Sequence, residues 1–129
     1  GCLNNWVDGW IDWNMVLDTQ GGPNWFKNWC VAPIIVDPAK DEVYFTPLYY
    51  TLSHFSKFIR PEATIFEVEN SDKDIMVTAA ENPDGTIAVV VFNETNQSKN
   101  IQLLLDNQKV NIKMNGQSIQ TIVIPNNEN

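Results

Sequence analysis

Histidine and cysteine are nearly missing from this sequence, which holds one histidine, His54, and two cysteines, Cys2 and Cys30. That excludes a metal site led by histidines, and two thiols fall short of a disulfide framework or a four-ligand zinc site. The two cysteines can pair or remain buried free thiols, and their spacing does not choose. Positive charge is scarce as well. Eight Lys and Arg stand against sixteen Asp and Glu, a formal net charge of −8. Binding to nucleic acid or to an anionic membrane needs clustered cations, so neither is expected as a partner. No apolar run reaches the roughly 18 residues of a membrane span, so no integral membrane segment is expected. Phosphate-binding glycine loops and Cys–His or Ser–His–Asp arrangements are also absent, and no cofactor or metal is implied. No signal peptide is visible, and the chain opens on Gly rather than Met, which suggests a piece of a longer protein.

What is present is unevenly spread. The 129 residues are 43% hydrophobic, enough for a packed core. All five tryptophans (Trp6, Trp10, Trp13, Trp25 and Trp29) fall in the first 29 residues, whereas residues 63–129 contain no Trp or Tyr. This shift places a boundary near Pro61, giving residues 1–61 as a site-bearing segment and 62–129 as a β-domain. In the β-domain, strands are predicted at 64–68, 75–80, 86–92, 101–105, 110–114 and 119–124 from alternation and β-branched runs. Thr86–Phe92 is apolar enough to be buried on both faces. Asn82-Pro83-Asp84-Gly85 supplies turn chemistry. Asn115-Gly116 predicts a type I′ hairpin turn, which needs positive φ at both central residues. Six short strands at this spacing indicate an antiparallel β-sandwich, one strand light. A polar tail, 125–129, closes the chain.

In the first segment one helix is predicted over 46–60. Thr46 can cap it by accepting from a backbone N–H, Pro47 suits its first position, and Pro61 ends it. Leu48, Leu52, Phe55 and Ile59 form its apolar face. Strands are expected at 31–36 and 42–45, joined by Asp37-Pro38-Ala39-Lys40-Asp41. His54 falls mid-helix as a packing or surface residue.

The densest chemical pattern is Trp10-Ile11-Asp12-Trp13-Asn14, followed by Gly21-Gly22-Pro23-Asn24-Trp25-Phe26-Lys27-Asn28-Trp29. Indole faces pack on the weakly apolar C–H face of a sugar, and amides and carboxylates meet its hydroxyls. Tryptophans also build cores. A pure core strand, however, would not interleave Trp with Asp and Asn and then enter a Gly-Gly-Pro loop. Asp8, Asp12 and Asp18 are the acidic residues here, and nothing in their spacing marks a catalytic pair. Asp12 could serve as a catalytic carboxylate, but it reads better as a hydrogen-bonded structural carboxylate at a strand end. Asn93-Glu94-Thr95 and Asn96-Gln97-Ser98 match the N-glycosylation pattern, which Asn-rich loops also produce by chance.

The ordered set GWIDWN, GGPNWFKN, PIIVD, TPLYYTLSHFSKFIRP and PDGTIAVVVFN resembles the C-terminal portion of the glucosylceramidase-like enzymes, glycoside hydrolase family 30, over about residues 9–124. The resemblance implies an α+β fragment: the last strand and helix of a (β/α)8 TIM barrel followed by an antiparallel β-sandwich. Trp10–Asn14 would be the eighth barrel strand, 15–45 an insertion with a small antiparallel sheet, 46–60 the last barrel helix, and 62–129 the sandwich. By motif position, Trp13 and Asn28 would line a glucoside pocket, with Asp12 beside them as substrate-binding. The family's two catalytic glutamates lie on earlier barrel strands, so no catalytic residue is expected here and the chain alone should be inactive. The implied partners are a β-glucoside or β-glucan substrate and the N-terminal barrel portion of the same protein. The implied location is secreted, periplasmic or lysosomal. The competing readings are a stand-alone carbohydrate-binding module and a structural domain paired with another chain. A binding module would carry its aromatic platform on the sandwich, where no Trp or Tyr occurs.

Overall fold

The structure is a computed structural model describing residues 1–105 and 108–126; the polar tail beyond Asn126 lies outside the described residues. After a 3-10 turn at Leu3–Asn5, the first segment forms β1 (Val16–Asp18), β2 (Ile34–Asp37) and β3 (Glu42–Phe45). β2 and β3 pair antiparallel, with Ile34 opposite Phe45. The Asp37 carboxylate closes their turn by accepting from Ala39 N (3.1 Å). β1 departs from the expected antiparallel sheet. It runs parallel to β2, Val16 opposite Ile34, because the connection over residues 19–33 is long enough for a parallel return. Trp10–Asn14 carries no strand pairing among the described residues. A strand exists through its ladder, and the barrel strands that would flank this one are not among these 129 residues.

Helix α1 covers Pro47–Ser56, with Pro47 in its first turn and Thr46 as N-cap. The Thr46 hydroxyl does not accept from the helix as expected. It donates instead to Pro33 O (3.0 Å) and Ala32 O (3.2 Å), and Thr46 N also donates to Pro33 O (2.9 Å). Thr46 therefore fastens the helix start to the approach to β2. The helix is shorter than the predicted 46–60. Beyond Ser56 only isolated bonds continue, including Ile59 N to Phe55 O (2.9 Å). Leu48, Leu52, Phe55 and Ile59 are half-buried.

The second segment holds β4 (Thr64–Phe66), β5 (Ile75–Glu81), β6 (Ile87–Asn93), β7 (Lys99–Leu105), β8 (Gln108–Met114) and β9 (Ser118–Ile124). β4-β5-β6-β9 form one antiparallel sheet, and β7-β8 form a separate pair. Between them lies the core of Ile75, Ala79, Val89, Val91 and Met114, flanked by Ile101, Leu103 and Ile112 from the smaller sheet. β6 is buried on both faces, as its sequence suggests: Val89 and Val91 face the core, while Ala88 and Val90 are buried on the other side. α1 covers that other side. Thr51 and Phe55 line a pocket of about 270 Å³ with Met76, Thr78, Val90, Phe92 and Ile119. His54 Nδ1 lies 2.8 Å from Thr121 Oγ1 of β9.

Two turns have different outcomes. Asn82–Gly85 is a hairpin turn joining β5 to β6: Gly85 N donates to Asn82 O (2.9 Å), and Gly85 has φ +76°. Asn115-Gly116 is not a hairpin. β9 leaves β8 and pairs with β6, so the connection arches between the two sheets. Positive φ falls on Gln117 (49°) and on neither predicted residue. Gly116 is required for space instead, since a Cβ there would meet the Asn96 backbone at 2.4 Å.

Candidate functional site

Asp18, at the end of β1, organises the glycine loop. One carboxylate oxygen accepts from Gln20 N and Gly22 N, both at 2.8 Å, and Asp18 O accepts from Gly21 N (3.0 Å). This is the Asx pattern by which aspartate substitutes for backbone partners in turns. Gly21 has φ +82°, and a Cβ would meet Cys30 O at 2.6 Å, so conformation and space both demand glycine there. Cys30 N returns to Gly21 O (3.3 Å), which closes the base of the loop. The residues between project outward: Trp25, Phe26, Lys27, Asn28 and Trp29 are all exposed. The Gly22–Pro23 peptide is cis. Asn24 Nδ2 is buried without a hydrogen-bond partner among the described residues.

Trp13 is 77% exposed, and Trp10 beside it is also exposed. Asp12 holds the backbone between them, one carboxylate oxygen accepting from Trp13 N at 2.8 Å. That is the structural role the sequence left open for it. The Asn28 carbonyl accepts from Cys30 Sγ (3.3 Å), and the Asn28 side chain is exposed. No hydrogen bond or ring contact joins Trp13 to Asn28 among the described residues, so each stands on its own segment. Both cysteines are free; Cys2 is exposed and Cys30 half-buried, so neither is the buried thiol that was one of the alternatives. No group of three or more His, Cys, Asp or Glu able to hold a metal occurs among the described residues. Burial holds the His54 imidazole below its ordinary value. Asp18 and Asn24 are the residues whose importance spacing did not reveal. The available signal was Asp three residues before Gly-Gly, an Asx-turn arrangement.

The surface so formed offers indole faces and amides, with Asp12 and Asp18 accepting from backbone N–H groups. Its chemistry suits a polyol, and no paired acid and base occurs on it among the described residues. The sequence profile of the glycosyl hydrolase family 30 TIM-barrel domain matches residues 1–59, and that of the family 30 beta sandwich domain matches residues 63–122. The chain belongs to glycosyl hydrolase family 30. Among relatives of this family 30 chain, lysosomal acid glucosylceramidase of Mus musculus is 45% identical over 93 residues, covering 70% of the chain and 18% of that protein. The endo-1,6-beta-D-glucanase neg1 of Aspergillus fumigatus is 28% identical over 132 residues, covering 97% of the chain and 27% of that protein. The solved endo-beta1,6-glucanase BT3312 superposes with a TM-score of 0.88 at 27% identity, covering 96% of the chain and 28% of that structure. The family 30 chain thus spans under a third of these relatives and corresponds to their C-terminal part: the end of the TIM barrel, then the β-sandwich.

Proposed function

We propose that this chain is the C-terminal part of a retaining β-glycosidase, of glucosylceramidase or β-glucanase type, that hydrolyses O-glycosidic bonds. The observation that carries the reading is the exposed aromatic segment, Trp10 to Trp29, at the end of a barrel whose catalytic face lies at the strand C-termini. In this reading Trp13 supplies a stacking face for the glycone, Asn28 offers donor and acceptor to a hydroxyl, and Asp12 fixes the strand end that aims Trp13. Residues 1–61 complete the barrel and 62–129 form the sandwich, with the division near Pro61. Acid/base and nucleophilic carboxylates come from the preceding barrel strands, so hydrolysis requires the N-terminal portion. The relatives' names include a glucosylceramidase and an endo-1,6-β-glucanase; a secreted, periplasmic or lysosomal location goes with either type, and a role in sphingolipid metabolism goes with the lipid substrate.

The test assays the full-length protein against glucosylceramide in detergent micelles, β-1,6-glucan and an aryl β-glucoside, each followed by anomeric analysis of the first-formed product. Retention with at least one substrate, weakened by Trp13→Ala, supports the reading. Inversion, or no hydrolysis of any of the three, overturns it.

A further inference from the structure

The two Asn-x-Ser/Thr triplets, three residues apart, have opposite structural fates. Asn93 ends β6 and is 0% exposed. Its Nδ2 donates to Gln97 O and Asn115 O, both at 2.8 Å, and its Oδ1 accepts from Thr95 N (3.1 Å) and Thr95 Oγ1 (2.8 Å). A sugar on Nδ2 would remove one of these donors and has no path outward. Asn93 is the internal clamp of the β6–β7 connection. Asn96 and Ser98, at the crest of the same connection, are exposed. The backbone beneath them is fixed. Gln117 N donates to Thr95 O (2.7 Å), and Gly116 lets the Asn96 peptide lie against the β8–β9 arch. The loop thus presents one acceptor triplet to solvent on a rigid base.

We propose that Asn96 is an N-glycan acceptor and that Asn93 is not. The inference rests on the lysosomal or secreted reading above, since the modification is made in the secretory lumen. The co-substrate is an oligosaccharide on a polyprenyl diphosphate. The Asn96 amide nitrogen forms a bond to the anomeric carbon and loses one proton. The bond from that carbon to the diphosphate oxygen breaks, and the diphosphate departs with its electron pair. Transfer takes place on the extended chain, before folding. A glycan on Asn93 would prevent β6 from meeting the 115–118 arch, whereas one on Asn96 leaves every bond of the clamp intact.

The experiment is peptide mapping of the full-length protein, secreted from a eukaryotic cell behind a cleavable leader and carrying a C-terminal reporter Asn-Gly-Thr tail. Peptide N-glycosidase in heavy-oxygen water marks each formerly glycosylated asparagine as labelled aspartate. Label on Asn96 in most molecules and none on Asn93 is expected. Asn96→Gln and Ser98→Ala, both at exposed positions, should each remove one glycan's worth of mass. An unlabelled Asn96 beside a labelled reporter overturns the site without touching the localisation reading, because the reporter certifies arrival in the lumen. Label on Asn93 in folded, secreted protein overturns it as well. The localisation reading is tested separately, by fractionating the native cell.

Discussion

Trp25 and Val91 stand at opposite extremes: the indole is 98% exposed and the valine 0%. The difference holds across their regions. The tryptophan segment turns its largest apolar side chains outward, while the sandwich packs Ile75, Ala79, Val89, Val91 and Met114 into one buried cluster. Burial of apolar area drives folding, so the sandwich keeps its stability within itself. The aromatic segment keeps its shape through polar turn bonds from Asp12 and Asp18, and leaves its apolar faces for other surfaces. Exposed apolar area on that scale marks a surface that meets something else.

Truncation should separate the two regions most sharply. Met114→Ala is expected to lower the stability of the full-length protein by about 2–5 kcal/mol, read by denaturant unfolding. Trp25→Ala should lie within about 0.5 kcal/mol of the parent; equal losses for both would erase the contrast. In activity the order reverses. Trp13→Ala should lower kcat/KM by roughly 2–4 kcal/mol of transition-state stabilisation, through lost stacking and poorer positioning, with the fold intact. Unchanged kinetics would reassign Trp13 to packing. Gly116→Ala probes the sandwich again, and forcing a Cβ against the Asn96 backbone should cost about 1–3 kcal/mol.

Asn28→Ala should remove about 0.5–1.5 kcal/mol of binding free energy, measured as a rise in KM. If Asn28 lines the proposed glucoside pocket, Asn28→Asp should add negative charge there, raise the pKa of the catalytic acid supplied by the rest of the protein and move the pH–rate profile upward. A wild-type profile would leave Asn28 a loop residue. The smallest effect concerns the seam between the regions. Burial lowers the His54 pKa from 6.5, so the unfolded chain binds this proton more readily than the folded one. The contribution is therefore fully present above pH 6.5 and is lost as pH falls from there through the lowered folded value. His54→Gln should flatten that part of the stability curve; an unchanged slope would place the titration elsewhere.

The sandwich was legible because its information is local and periodic. Thr86–Phe92 announced a strand buried on both faces, and Pro83-Asp84-Gly85 announced a turn. Asn115-Gly116 misled because turn chemistry reports φ preferences and is blind to which sheet the next strand will join. Thr46 misled for a similar reason: a hydroxyl at a helix start bonds whatever is nearest, and here that is the carbonyl of Pro33, thirteen residues earlier. In the aromatic segment the residue types pointed to sugar chemistry, but the barrel strand expected at 10–14 came only from resemblance, and no strand pairing forms there among the described residues. The part played by Asp18 was hidden among equivalent aspartates until the loop geometry singled it out.

Asn82 carries one last consequence. Its side chain donates to Phe58 O (3.0 Å) and Thr86 Oγ1 (3.0 Å) and accepts from Arg60 N (2.9 Å). One carboxamide thus grips the chain leaving the helix and the hairpin of the sandwich at once. In mechanical terms the junction at Pro61 is a rigid joint and not a swivel. A load that tilts the sandwich must drag the end of the barrel's last helix with it, so strain applied to either body is felt in the other without any ligand passing between them.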